Sequence, residues 1–184
     1  EGYFKKITPL SLRMSGEQKL KEGDQVTQQL EGMNNMDLLF FSDRSQVYKI
    51  KASDFSDTKA SVLGEYIPAR AQMDEGERAV YLAATTDYAG FVLFFFENGK
   101  AAKVEMSAYE TKTNRKKLIN AYSDKSPLVS ALYIREDCEV LLTASSGRML
   151  LFHTGQILPK TTKNTQGVQA MNLKTGQRLI SAKA

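Results

Sequence analysis

The 184-residue sequence has one cysteine, one histidine and no tryptophan, and each scarcity excludes a class of protein. A lone thiol, Cys138, rules out an internal disulfide framework and fits a reducing cytoplasm. A lone imidazole, His153, leaves few nitrogen ligands for a transition metal such as zinc. The longest apolar stretch, residues 90–96, is far too short to span a bilayer and lacks a signal-peptide layout. We therefore expect neither a metal centre nor a membrane partner.

Residues suited to catalysis are also scarce. The sequence has no phosphate-cradling glycine loop, and a His153 at the end of a strand is expected to be exposed or hydrogen-bonded rather than catalytic. Acidic neighbours of Cys138 disfavour a reactive thiolate. The carboxylates of 74–77 could hold a hard cation, but three acids on one turn more often form a solvated corner. No reaction class is supported, and we expect no cofactor.

A hairpin pattern occurs three times along the chain. Residues 38–50 (LLFFSDRSQVYKI) form an apolar run, a polar turn and a second strand-like run; 92–104 repeat this order 54 positions later, and 140–152 after another 48. The start of the chain, GYFKKI at 2–7, matches only the second half of the unit, 43 positions before 45–50. A hairpin repeat of this length predicts a blade-type β array. The half-unit start favours a piece of a longer chain.

Each repeat contains four strand-like pieces. In the second repeat these include 36–42, 46–52 and 77–85, and the turns 43–45, 97–99 and 145–147 carry residues typical of short hairpins. Helical periodicity is weak, so pieces such as 108–112 are predicted to be single turns at most. The sequence predicts one domain, 1–184, with blades at about 1–37 (partial), 38–90, 91–139 and 140–184.

The net charge of +4 conceals a strong asymmetry. Residues 140–184 carry six cations and no acid, so this segment is +6 and the remainder is −2. A second basic loop, 112–117, occupies the equivalent part of the preceding repeat. Like the loop 160–169, it combines cations with hydroxyls and amides, which are the groups that contact phosphate oxygens. Neither loop contains an aromatic residue, so contact with a duplex backbone is favoured over base stacking.

These segments carry a resemblance to a known family. The sequences GYFKKI (2–7), FFSDRSQVYKI (40–50) and KNTQGVQ (163–169) resemble the C-terminal domain of the A subunit of bacterial type II topoisomerases, DNA gyrase and topoisomerase IV. The similarity extends over essentially the whole chain. The resemblance implies an all-β fold, a β-pinwheel of about four four-stranded blades that exchange strands. Whether the array closes is left open.

The resemblance also implies a function. The domain would bind and bend duplex DNA around a basic rim, without base readout, and present it to the core of an ATP-dependent topoisomerase in the bacterial cytoplasm and nucleoid. The implied partners are double-stranded DNA, the rest of the A subunit, and the B subunit that the A subunit contacts. The family's catalytic tyrosine and ATPase lie elsewhere, so the chain itself is expected to be non-catalytic.

One departure from the family concerns the gyrase box, the arginine- and glycine-rich loop needed for chiral wrapping. Residues 13–19 occupy a comparable loop without that run, which favours a topoisomerase IV-like or divergent subunit. A box upstream of residue 1 stays open. We predict that basic side chains neutralise DNA phosphates. The predicted contacts are Lys112, Arg115, Lys116, Lys117, Lys160 and Lys163, extended by Arg13, Lys49 and Lys51.

Two other functions remain open from the sequence. A propeller-type interaction module could use the same basic loops to bind an acidic protein partner, although the absence of tryptophan excludes the WD signature. A hydrolase built on a propeller has little support among the residues. DNA binding and protein binding differ in one property: only the first predicts a steep dependence of affinity on salt.

Overall fold

The structure is a computed structural model that describes residues 1–113 and 115–184. It contains thirteen strands and two short helices within those residues. The strands are β1 (Tyr3–Phe4), β2 (Asp37–Ser42), β3 (Val47–Lys51), β4 (Glu65–Tyr66), β5 (Ala79–Thr85), β6 (Phe91–Phe96), β7 (Lys100–Glu105), β8 (Lys117–Leu118), β9 (Leu128–Ile134), β10 (Glu139–Ala144), β11 (Met149–His153), β12 (Val168–Gln169) and β13 (Leu179–Lys183). The helices are α1 (Pro9–Met14) and α2 (Ile67–Arg70).

The chain divides into two compact units, and the first comprises Glu1–Arg44 and Tyr48–Thr86. Its main sheet has β2 between β5 and β3, with β2 and β5 antiparallel from Asp37 opposite Thr85 onward. Its core consists of buried residues from the hairpin and the connection that follows it. These residues are Leu38, Phe40, Tyr48, Ala52, Phe55 and Ile67.

The second unit comprises Ser45–Val47 and Asp87–Ala184. It contains a four-stranded sheet of order β12-β7-β6-β9 and a three-stranded sheet of order β11-β10-β13. The described pairings in these sheets are antiparallel. Strand β6 is apolar throughout because both of its faces are covered. Leu93 and Phe95 point into the core, while Phe94 stacks on Tyr122 with ring centroids 5.1 Å apart.

Short strands from the long connections complete the outer edges of the sheets. In the first unit β4 pairs with β1, and in the second β12 pairs with β7. Strand β8 likewise lies beside β3, whose first residue, Val47, belongs to the second unit. Each outer strand thus comes from the connection of the following repeat, which is the predicted strand exchange. The sequence pattern did not locate these strands, since two residues are too few to show periodicity.

Glycine allows the exchanged strands to approach closely. Gly64 precedes β4 with φ +99°, and a Cβ there would stand 2.5 Å from the Phe4 carbonyl oxygen. Gly167 precedes β12 with φ +78°, and a Cβ there would stand 2.7 Å from the Ala102 nitrogen. Both positions need glycine for its backbone conformation and for its lack of a side chain.

Two local features differ from the sequence prediction. Helix α1 is six residues long, more than the single turn expected, because the Thr8 side chain accepts the Ser11 N–H and Pro9 begins the helix. The first hairpin turn places a serine, Ser45, at positive φ (56°), whereas Gly99 does so in the next hairpin. The strands predicted at 36–42, 46–52 and 77–85 agree with the observed β2, β3 and β5 to within two residues.

A buried lysine holds the second unit together. Lys103 is 3% exposed, and its Nζ donates to Asp137 Oδ1 at 2.7 Å and to the Thr154 carbonyl at 3.3 Å. Thr154 Oγ1 also donates to Asp137 Oδ1, at 2.8 Å. The hydrogen bond from Lys103, followed by that from Thr154, lowers the pKa of Asp137 below its ordinary value near 3.8.

We predict that this pair makes stability fall in acid. Because the pKa of Asp137 is lowered by folding, its contribution is present above about pH 4 and is lost as the pH falls through the folded pKa. Asp137→Ala leaves Lys103 buried with less compensation, so we expect a loss of about 2 kcal/mol of unfolding free energy at pH 7. The loss should be smaller at pH 3, as measured by urea unfolding.

The exposed pair of Asp87 and Arg135 supplies the control for this prediction. Its side chains are 50% and 56% exposed, so Asp87→Ala should cost well under about 1 kcal/mol. Equal losses in the two variants at pH 7 would contradict a special contribution of the buried lysine.

Candidate nucleic-acid interface

Three of the predicted cations line one open groove in the second unit. The groove has a volume of about 610 Å³ and lies between residues 115–120 and 161–164. Arg115 and Lys117 stand on one wall and Lys163 on the other. The other described lining residues are Leu118, Ile119, Asn120, Thr161, Thr162 and Asn164.

The first wall is fixed from beneath. Leu118 of β8 is buried, and the Ala121 N–H donates to the Ser45 carbonyl at 2.7 Å. The buried Tyr109 hydroxyl donates to the Ala121 carbonyl at 2.6 Å. These anchors hold the backbone of the wall while the side chains of Arg115 and Lys117 stay exposed.

The second wall is held by the outer edge of β7. The Lys160 N–H donates to the Lys103 carbonyl, and the Glu105 N–H donates to the Lys160 carbonyl, both at 2.9 Å. Lys160 is therefore fixed at its backbone and exposed at its side chain. Lys163 follows in a turn and is half-buried.

The groove carries positive charge without a carboxylate among its described lining residues. The ion pairs described in the second unit involve Lys103 with Asp137 and Arg135 with Asp87, and neither uses a groove cation. In the part of the chain that the structure describes, Arg115 and Lys163 make no ion pair. Cations without local partners keep their full attraction for an external anion.

The other predicted contacts occupy different places. Lys112 and Lys116 are exposed near the first wall, and Asn114 of the same loop lies outside the described residues. Arg13 is exposed in the last turn of α1, and Lys51 is exposed at the end of β3. Lys49 is half-buried on β3. The structure thus brings together Arg115, Lys117 and Lys163, and it places Arg13, Lys49 and Lys51 in or beside the sheet of the first unit.

Sequence reasoning missed two residues of the groove. Asn120 adopts positive φ (53°), and the adjacent Ile119 is 64% exposed. The signal available was local: an asparagine that tolerates the left-handed conformation directly after an apolar pair. Reasoning from alternation also missed that Lys103 turns inward to a partner 34 positions away.

The residues considered for other chemistry have structural environments. His153 is exposed and accepts the Gly155 N–H at its Nδ1, at 3.1 Å. Glu77 is buried and accepts the Tyr48 hydroxyl at 2.7 Å and the Asp74 N–H at 3.0 Å. This carboxylate therefore closes a corner of the sheet. Among the described residues no group of three His, Cys, Asp or Glu is placed to hold a metal ion, and no helix could cross a membrane.

The sequence is similar to a known domain family and to curated proteins. Residues 37–61 and 139–184 match the family model described as "DNA gyrase C-terminal domain, beta-propeller". The chain is 24% identical over 194 residues to the DNA gyrase A subunit of Borrelia hermsii, which covers 100% of this chain and 24% of that protein. The chain thus spans about a quarter of the length of this relative.

The fold is similar to two solved structures. One is the "Crystal structure of the C-terminal domain of DNA topoisomerase IV", with a TM-score of 0.81, 24% identity, and coverage of 98% of this chain and 57% of that one. The other is the "Structure of DNA gyrase A C-terminal domain", with a TM-score of 0.60, 19% identity, and coverage of 99% and 56%. These similarities confirm the predicted all-β, β-pinwheel fold.

Proposed function

Because the resemblance to the C-terminal domain of the A subunit of bacterial type II topoisomerases is confirmed in sequence and in fold, we propose that this chain binds and bends duplex DNA. The observation that carries the proposal is the groove, where Arg115, Lys117 and Lys163 face each other. Its walls are held by backbone and buried contacts, so the cations are positioned before DNA arrives.

Binding proceeds by neutralisation of phosphates. The groove presents guanidinium and ammonium groups together with the hydroxyls of Thr161 and Thr162 and the amide of Asn164, all of which can donate to phosphate oxygens. None of the lining side chains is aromatic, so stacking on bases is not part of the mechanism. Sequence-independent binding follows.

Bending requires contacts beyond the groove. Smooth curvature of a 20–30 bp site costs on the order of 1–6 kcal/mol, and a row of further phosphate contacts can offset it. We propose that the exposed cations outside the groove supply this row. These residues are Lys112, Lys116, Lys160, Arg13 and Lys51, with the half-buried Lys49 contributing less.

The chain acts as an accessory, non-catalytic domain in this proposal. Residues 1–184 work as a single module that presents bound DNA to the core of a topoisomerase in the cytoplasm and nucleoid. The protein partners are the remainder of the A subunit, to which the module is joined, and the B subunit, which it reaches indirectly. Cutting of DNA and hydrolysis of ATP belong to those other parts.

The proposal is tested by measuring duplex affinity across a salt series. We expect log K to fall linearly with log salt, with a slope near −0.9 for each phosphate neutralised and little dependence on sequence. A slope near zero would contradict DNA binding through the groove. Crosslinks in cell extract that stay on protein after nuclease treatment would instead support the alternative, a module for an acidic protein partner.

A further inference from the structure

One outer strand is left uncovered in the second unit. Strand β11 is at the edge of the sheet β11-β10-β13, and its side chains Met149, Leu150 and Leu151 are 63%, 41% and 60% exposed. The corresponding strand β7 is covered by β12, and there Ala101 and Ala102 are fully buried. A long, exposed, apolar edge strand is a template for pairing with another strand.

The strands that cover the other outer edges share a pattern. Each is a tripeptide that begins with a glycine at positive φ: 64–66 (Gly-Glu-Tyr) on β1, and 167–169 (Gly-Val-Gln) on β7. The residue after each tripeptide donates its N–H to the carbonyl of the acceptor's turn glycine. Ile67 donates to Gly2 at 2.9 Å, and Ala170 donates to Gly99 at 3.0 Å.

The same features are present at β11, except that the donor is absent. Its turn residue Gly147 has φ +88°, like Gly99, and no atom lies within 4 Å of the position a Cβ would take. Around Gly99, by contrast, the Gln169 side chain and Leu173 fill that space. The edge therefore has the shape of an acceptor without an occupant among the described residues.

The first connection contains a tripeptide of the same type that pairs with no strand in the described parts of the chain. Residues 16–18 are Gly-Glu-Gln, which combines the Gly-Glu of one donor with the Gly-x-Gln of the other. The amide of Gln18 is buried at both Nε2 and Oε1 and has no hydrogen-bond partner among the described residues. In the occupied edge the amide of Gln169 donates to the carbonyls of Asn98 at 2.9 Å and Met171 at 2.8 Å.

Charge also favours this donor for this edge. Residues 140–184 carry six cations and no acid, and the donor contributes Glu17. The register of β12 on β7, with Val168 opposite Ala101, would place Glu17 opposite Met149 and next to Arg148. Within the single chain the donor segment stays elsewhere, since the Lys19 N–H donates to the Ala60 carbonyl at 2.8 Å.

We propose that residues 16–18 of one copy of this chain pair with the free edge of β11 in a second copy. Each copy has one unused donor and one unused acceptor, so the association is head-to-tail. It adds the fourth strand to the three-stranded sheet, covers Met149 and Leu151, and gives the Gln18 amide the turn carbonyl of Ser146, which corresponds to Asn98. The proposal does not depend on DNA binding.

Disulfide capture tests the pairing and its register. In a Cys138→Ser background, Glu17→Cys and Met149→Cys proteins are purified separately, mixed without DNA and oxidised. We expect a covalent heterodimer at twice the 20.5 kDa chain mass. Replacing Met149→Cys by Val80→Cys, which is 46% exposed on the edge strand β5, should reduce its yield at least 10-fold.

A second measurement separates pairing from misfolding. Met149→Pro removes an N–H that faces the free edge and leaves the pairing of Leu150 with Leu142 in place. By sedimentation velocity, wild type should self-associate with rising concentration, and the variant should do so at least 10-fold more weakly with unchanged thermal unfolding. Monomers at every concentration without heterodimer, or a disulfide only within doubly substituted single chains, would overturn the proposal.

Discussion

Replacing Arg115, Lys117 and Lys163 together by alanine is expected to remove much of the salt-dependent affinity for duplex DNA. Each groove cation that contacts a phosphate contributes about 0.9 to the slope of log K against log salt, so the slope should become shallower by about 2.7. A four-fold rise in salt then costs the variant about 40-fold less affinity than it costs wild type. Fluorescence anisotropy with duplexes of two unrelated sequences measures this change.

A control variant with the same loss of charge tests whether position matters. Lys125, Lys174 and Lys183 are exposed in the second unit and do not line the groove. Their triple alanine replacement should change the slope by well under half as much. If the two variants weaken binding equally, net charge rather than the groove attracts DNA, and the proposed interface is wrong.

Gly167→Ala is expected to cause the largest loss of stability from a single methyl group. The residue has φ +78°, and the new Cβ would stand 2.5 Å from the Ala101 carbonyl carbon, so β12 cannot keep its pairing with β7. Left-handed strain costs on the order of 1–3 kcal/mol, and the backbone contact adds to it. We expect a total loss of about 3 kcal/mol of unfolding free energy and a fall in Tm of roughly 6–12 °C.

Gly147→Ala is the matched control for this effect. Its φ is +88°, close to that of Gly167, but no atom lies within 4 Å of its Cβ position. It should therefore show the cost of strain alone, about 1 kcal/mol. Similar losses in the two variants would show that close approach of the exchanged strand contributes little to stability.

The hairpins could be predicted from the sequence because their signals are local. Apolar runs on both sides of a short polar turn mark β2 with β3, β6 with β7, and β10 with β11. The exchanged strands could not be located, since β12 has two residues and its partner β7 lies more than 60 positions away. What forms β12 is the edge of β7 and a glycine that permits contact, and neither appears as periodicity.

The groove was predictable in part for the same reason. The basic loops are visible in the sequence, and three of their cations meet across the groove. Which cations meet depends on the anchors of each wall. Tyr109 holds Ala121 in one wall and Lys103 holds Lys160 in the other, and both contacts depend on tertiary structure. The burial of Lys103, in a strand where alternation favoured exposure, likewise depends on a distant Asp137.

The central claim is that this chain bends duplex DNA by a row of phosphate contacts. The most direct measurement is end-to-end FRET on linear duplexes of increasing length, with wild type and the Arg115/Lys117/Lys163 alanine variant, across a salt series. The account predicts that wild type draws the ends together at low salt, that the effect disappears at high salt, and that the variant bends less. Tight binding by wild type with the ends of every duplex as far apart as in free DNA would contradict it.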